Sequence, residues 1–126
     1  MPTILLVDDD RSITFILSTL LAEEGFVVAT ASNGREALPM LDQTRPDVVL
    51  LDLMMPGMSG QETLTEMRTR GISKPVIFMS AGIRGEEAST NGADAFLKKP
   101  FHFQTGLDTI APFIAVPPVA GCSAAG

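Results

Sequence analysis

The sequence predicts an α/β fold in which five parallel strands form a doubly wound sheet flanked by about five helices. Three observations carry this expectation. Short apolar runs, Thr3-Ile4-Leu5-Leu6-Val7, Val48-Val49-Leu50-Leu51, Val76-Ile77-Phe78-Met79 and Ala95-Phe96-Leu97, lack polar alternation, as strands covered on both faces require. Between them lie segments whose apolar residues repeat at helical spacing. Each run also ends abruptly in polar residues: Asp8-Asp9-Asp10, Asp52, Ser80 and Lys98-Lys99-Pro100. With right-handed crossovers, the carboxyl ends of parallel strands share one edge, where ligands bind, so these carboxylates, hydroxyl and ammonium groups should converge.

Taken in order, Ile13, Ile16, Leu17, Leu20 and Leu21 describe a first helix packed on the sheet, with Asp10 or Ser12 placed to cap it and Gly25 to end it. Phe26 to Ala31, rich in Val and Ala, reads as the second strand before the turn Ser32-Asn33-Gly34. A second helix follows from about Arg35 to Asp42. Pro39 falls inside it, and an interior proline costs about 3 kcal/mol, so this helix should be short or kinked. Arg45-Pro46-Asp47 leads into the central strand. Gln61 to Arg70 forms a third helix with Leu64 and Met67 on one side, ending at Gly71, and Lys74-Pro75 restarts the chain as the fourth strand. Gly85 to Gly92 has little apolar periodicity, so a fourth helix between Ser80 and Lys99 should be short or displaced. A final helix is expected from Phe103 to Phe113, with Leu107 and Ile110 toward the sheet and Pro112 stopping or bending it. The domain is expected over residues 1–114, and 115–126 reads as a Pro, Ala and Gly-rich tail or linker.

Length and composition narrow the function. A chain of 126 residues with 45% hydrophobic content has room for one proper core and argues against disorder. Fifteen acidic against nine basic residues give a net charge of -6, which opposes direct nucleic-acid binding. No apolar run reaches membrane-spanning length and the amino terminus has no signal-peptide pattern, so no membrane insertion and a cytoplasmic location are expected. The single cysteine, Cys122, excludes an intramolecular disulfide.

The central feature is the run Val48 to Leu51 ending in Asp52 and the loop Leu53-Met54-Met55-Pro56-Gly57-Met58-Ser59-Gly60. A turn-initiating Asp before Pro-Gly would be the bland reading if it stood alone. With the acidic pair in Leu6-Val7-Asp8-Asp9, Ser80-Ala81 and Lys99-Pro100-Phe101 in the same order, the chain resembles the receiver domain of two-component response regulators over roughly its first 110 residues. The resemblance implies a flavodoxin-like sheet with strand order 2-1-3-4-5. It also implies that Asp52 accepts a phosphoryl group from a phosphohistidine on a sensor histidine kinase or histidine phosphotransfer protein. The chain would then be a signalling phosphoacceptor, assisting its own phosphoryl transfer and dephosphorylation, and not an enzyme.

Further roles follow from the same resemblance. Asp8, Asp9, Asp52 and the backbone carbonyl of Met54 would hold one divalent ion, and all-oxygen ligands suit Mg²⁺. Carboxylates about 4 Å apart repel by about 4 kcal/mol at an effective dielectric of 20, so the acidic pocket should raise a carboxyl pKa. Lys99 would reach Asp52 and then the phosphoryl oxygens, while strand alternation aims Lys98 at the opposite face. The Lys99-Pro100 bond would be cis. Ser80 would donate its hydroxyl to the phosphoryl group, and Phe96 would turn inward, remodelling a surface read by an unknown downstream protein; a permanently buried Phe96 is the alternative. Met54 and Gly82 flank the path of attacking water, and neither side chain can orient it, so loss of phosphate should be slow. His102, alone after Pro-Phe, reads as a loop residue.

Competing classes are weaker. A pseudo-receiver binding a partner without phosphorylation is opposed by the full set Asp8, Asp9, Asp52, Ser80 and Lys99. A haloacid dehalogenase-type phosphatase wants a second Asp two places after the nucleophile, where this chain has Met54. P-loop and dinucleotide-binding glycine signatures are absent from the sequence.

Overall fold

Five strands, β1 (Thr3–Val7), β2 (Val27–Ala31), β3 (Val48–Asp52), β4 (Val76–Ser80) and β5 (Ala95–Lys98), pair in parallel in the order β2-β1-β3-β4-β5. They come from a computed structural model in which residues 2–81 and 92–114 are described. Four helices accompany them: α1 (Arg11–Glu23), α2 (Gly34–Thr44), α3 (Gly60–Thr69) and α4 (Phe103–Ile110), the last followed by a 3-10 turn at Ala111–Phe113. The helix expected between Ser80 and Lys99 and the tail expected at 115–126, with Cys122, lie outside the described residues.

Strand alternation splits the apolar runs into two cores. Ile4, Leu6, Val48, Leu50, Ile77 and Met79 pack with Leu17 and Leu21 of α1 and Ile110 of α4. Leu5, Val7, Val49, Leu51, Val76 and Phe78 pack with Leu38 and Leu41 of α2 and Leu64 and Met67 of α3. Both faces are covered, which is why these strands carry no polar alternation. Each such side chain contributes about 1.5–3 kcal/mol on full burial, so the three central strands dominate stability.

Local chemistry sets the helix ends. The Asp10 carboxylate caps α1 by accepting from the backbone N–H groups of Ser12 and Ile13. Asn33 caps α2 through the N–H of Glu36, and Ser59 and Glu62 form a reciprocal capping box at α3. Of the short or kinked helix expected, the short alternative is corrected: α2 runs eleven residues through Pro39. Pro39 and Arg35, whose carbonyl the missing N–H would have bonded, are both exposed, so the lost hydrogen bond falls on the solvent side of the helix. Pro112 acts as expected, because the α-helix gives way to the 3-10 turn that contains it.

Two features place the carboxyl edge. The ladder continues past the strand ends: the N–H of Asp8 donates to Ala31 (3.1 Å), that of Leu53 to Met79 (2.8 Å) and that of Lys99 to Ser80 (2.8 Å). The start of α3 presses on the end of β3, where a Cβ on Gly60 would collide with the Asp52 carbonyl oxygen and come within 2.7 Å of Leu53 Cα. Both of those contacts are backbone, which cannot swing aside. Substituting Gly60→Ala should therefore destabilise the protein by about 1–3 kcal/mol in urea unfolding; a loss under about 0.5 kcal/mol would show that the loop yields freely.

Candidate functional site

The strand order reverses direction between β1 and β3, so the connections leaving their carboxyl ends diverge and open a crevice there. Asp8 stands at the end of β1 and Asp52 at the end of β3. Both are buried, at 1% and 5% exposure, while Asp9 is exposed beside them. One oxygen from each of the three carboxylates lies within 4.8 Å of the other two.

Few groups offset this density of charge. The Lys99 ammonium donates to Asp8 Oδ2 at 2.7 Å and lies 3.6 Å from Asp52 Oδ1. Lys99 is thus nearer to Asp8 than to Asp52, the residue that sequence reasoning paired it with. Asp8, with its side chain wholly buried, also accepts the N–H of Asp10 at 2.9 Å on Oδ1, so its two oxygens face two different donors. Asp52 accepts a longer bond, 3.3 Å, from the N–H of Met54. Burial pushes the Asp52 carboxyl up to about 7, and the Asp8 charge adds to the rise; Lys99 and the Met54 N–H pull the other way.

The other candidates are placed as follows. Ser80 is buried at the end of β4, and its carbonyl accepts the N–H of Lys99, the residue just past β5. Lys98 is exposed, and the Lys99–Pro100 peptide is cis. Phe96 is half-buried against the core shared by α2 and α3. The Met54 side chain is 70% exposed at the mouth of the site. His102 is exposed just before α4 and its side chain makes no cap. Gly82 lies outside the described residues.

Sequence reasoning missed a neighbouring groove. Ile13, Ile16, Leu17, Ala81, Lys99, Pro100 and Phe101 line a cavity of about 410 Å³ that is almost wholly apolar. Ile16 was expected to pack on the sheet, yet it is 54% exposed, and Phe15 beside it is 71% exposed. The signal was present: α1 has more large apolar residues than one helical stripe can bury, and Phe15-Ile16 falls at its edge.

Residues 4–111 match the family model described as the response regulator receiver domain. The chain belongs to this family. Among curated proteins it is 48% identical over 107 residues to the transcriptional regulatory protein CpxR homolog of Haemophilus influenzae, covering 81% of this chain and 45% of that protein. It is 44% identical over 101 residues to the regulatory protein AtoC of Escherichia coli, covering 78% of this chain and 22% of that protein. The chain thus spans less than half the length of these relatives. Among solved structures, the chemotaxis protein CheY4 of Vibrio cholerae superposes with a TM-score of 0.83 at 33% identity, over 90% of this chain and 99% of that one. The response regulator TrrA of Thermotoga maritima, solved in complex with Mg²⁺ and BeF, gives 0.82 at 34% identity, over 90% and 100%. The receiver fold and this chain's doubly wound sheet are the same architecture. Among the described residues no helix is long and apolar enough to cross a membrane.

Three clustered carboxylate oxygens are hard donors, the chemistry that a divalent cation of the Mg²⁺ class takes, and among the described residues no His or Cys joins them. Without such a cation the Asp52 charge is a liability with a definite sign. Its folded-state pKa, about 7, lies above the ordinary 3.8, so the folded state holds the extra proton between those values and stability falls as pH rises through that window. In chelator, Asp52→Asn should therefore raise the melting temperature above that of the wild type at pH 8, with the gap narrowing as pH falls toward 4. A gap independent of pH, measured by calorimetry, would remove the raised Asp52 from the explanation.

Proposed function

We propose that this receiver domain, residues 1–114 with 115–126 as a tail or linker, is a phosphorylation-controlled switch of a two-component relay. The single observation that carries this reading is the juxtaposition of buried Asp52 and Asp8 with the Lys99 ammonium at the carboxyl edge of the sheet. An Asp52 oxygen attacks phosphorus on a phosphohistidine of a sensor kinase or phosphotransfer protein. The O–P bond forms as the N–P bond breaks, and the imidazole leaves with its electron pair. Asp8, Asp9, Asp52 and the Met54 carbonyl would hold Mg²⁺, which when bound supplies positive charge against the carboxylates and the incoming phosphoryl oxygens. Lys99 offers a second positive charge, and Ser80 donates its hydroxyl to the transferred group. The chain assists its own phosphorylation in this way without turning over a free substrate.

Donor and output surfaces follow. The apolar groove of Ile13, Ile16 and Phe101 runs up to Lys99, so a protein presenting a phosphohistidine at its own apolar surface can cover Ile16 while its imidazole reaches the site. Cytoplasmic location fits a kinase donor. The relatives' names include transcriptional regulators longer than this chain, and the acidic charge of the receiver leaves any contact with DNA to other residues or proteins.

Mass spectrometry with Mg²⁺ tests the acceptor and the donor face together. A small acyl phosphate should add one phosphoryl group to the wild type and to Ile16→Asp but none to Asp52→Ala, whereas a phosphohistidine protein donor should load Ile16→Asp about tenfold more slowly. No mass gain in the wild type overturns the reading; equal loading of Ile16→Asp by the protein donor removes only the groove.

The output step places Phe96 in motion. As Ser80 turns to the phosphoryl group it vacates volume beside β5, and the half-buried Phe96 ring moves inward, reshaping the surface that a partner protein reads. Ring resonances of Phe96 recorded by NMR should shift between the free and beryllofluoride-loaded protein. Superimposable spectra would confine any output to other residues.

A further inference from the structure

The loop after β3 carries three methionines, Met54, Met55 and Met58, but they are not equivalent. Met55 is 7% exposed within the core, and Met58 is half-buried against that core. Met67 and Met79 are buried at 1% and 0%, and Met40 is half-buried. Met54 alone among the described methionines is largely open, at 70%, and it belongs to neither core. No packing role accounts for it. Its backbone N–H donates to Asp52 Oδ1 at 3.3 Å, so the exposed side chain springs from a stretch of backbone that lies beside the acidic site.

We propose that Met54 is a modification site for peroxide, and that its sulfoxide shortens the life of the phosphorylated state. The proposal rests on Asp52 being the phosphoacceptor. In the step itself the thioether sulfur attacks one peroxide oxygen; an S–O bond forms, the O–O bond breaks, and the departing hydroxide takes a proton and leaves as water. Sulfur is oxidised to the sulfoxide and the peroxide is reduced. Burial protects Met55, Met67 and Met79, and Met40 and Met58 are half-covered, so exposure favours Met54.

The consequence lies in hydrogen bonding. A thioether is a weak acceptor and leaves water near the phosphoryl group unoriented. A sulfoxide oxygen is a strong acceptor on the same flexible side chain, and it can hold a water against the phosphorus on the side facing solvent. Attack by that water breaks the P–O bond to Asp52 and returns the carboxylate and inorganic phosphate. Oxidation thus makes the receiver forget faster, and a thiol-dependent sulfoxide reductase restores the slow state.

The test uses the full chain as wild type, Met54→Leu and Met54→Gln. Each is exposed to hydrogen peroxide, mapped by peptide mass spectrometry, loaded with a small acyl phosphate and Mg²⁺, and followed for loss of phosphoryl mass. Met54 should oxidise about tenfold faster than Met55, Met67 or Met79, and the oxidised wild type should lose phosphate about tenfold faster than the reduced protein. Met54→Leu should decay at one rate before and after peroxide, and untreated Met54→Gln should decay faster than the reduced wild type. Equal lifetimes with Met54 fully converted overturn the proposal. So does a peroxide effect that persists in Met54→Leu, which would trace it to another residue such as Cys122. If the untreated wild type takes up no phosphoryl group, the acceptor reading fails first, and that is visible before any peroxide is added.

Discussion

The repulsion between two buried carboxylates, Asp8 and Asp52, is the constraint around which the carboxyl edge is built. Neither would be left in a sheet-end crevice for stability, since removing a carboxylate from water costs more than a single hydrogen bond returns. Asp8 escapes most of that cost through Lys99 on one oxygen and the Asp10 N–H on the other. Asp52 has a long bond from Met54 and a lysine 3.6 Å away, and its carboxyl is the one driven toward neutrality. The asymmetry is informative. Asp8 has a close donor on each oxygen, whereas the Met54 N–H and the Lys99 ammonium stand farther from Asp52, in keeping with the raised carboxyl being that of Asp52.

Holding such a pair in place demands a scaffold that cannot relax it away. The backbone on each side is pinned by ladder bonds that outlast the strands, at Asp8, Leu53 and Lys99, and the central strands are buried on both faces. Gly60 lets α3 start against the Asp52 carbonyl, so the loop that follows the acidic residue is clamped at both ends. The groups that face solvent are Asp9 and Met54. Rigid elements therefore carry the charged centre, and the adjustable parts lie at its rim.

Much of this was legible in the chain. The unbroken run Val48 to Leu51 announced a strand covered twice, and the polar residues closing several runs announced a shared edge, because the carboxyl ends of parallel strands lie together. Burial, caps and strand ends follow from side-chain chemistry within a few residues. Pairwise geometry does not: nothing in the sequence says that Lys99 settles on Asp8 before Asp52, which depends on two loops converging from residues 91 positions apart. The tolerance of α2 for Pro39 was hidden for a similar reason. An interior proline is costly where its orphaned carbonyl is buried, and only the packed fold shows that Arg35 faces water. Ile16 was misread because helical spacing reports which residues share a face, while the width of the sheet beneath decides how many of them are covered.

The division between a fixed centre and a variable rim also bears on how such a domain can change its timing without losing its fold. Altering Asp8 or Lys99 breaks a close, buried charge pair, and removing one partner of such a pair costs several kcal/mol, about 3–5. A side chain as exposed as Met54 touches no core, so its replacement or modification falls in the class of surface changes worth about 0.5 kcal/mol or less. Yet its backbone N–H donates to Asp52 Oδ1 at 3.3 Å, so the backbone that carries this side chain lies against the same carboxylate. The close charge pair of Asp8 and Lys99 and the exposed side chain of Met54 thus belong to different loops at one sheet edge, so a change at the rim leaves the buried pair undisturbed.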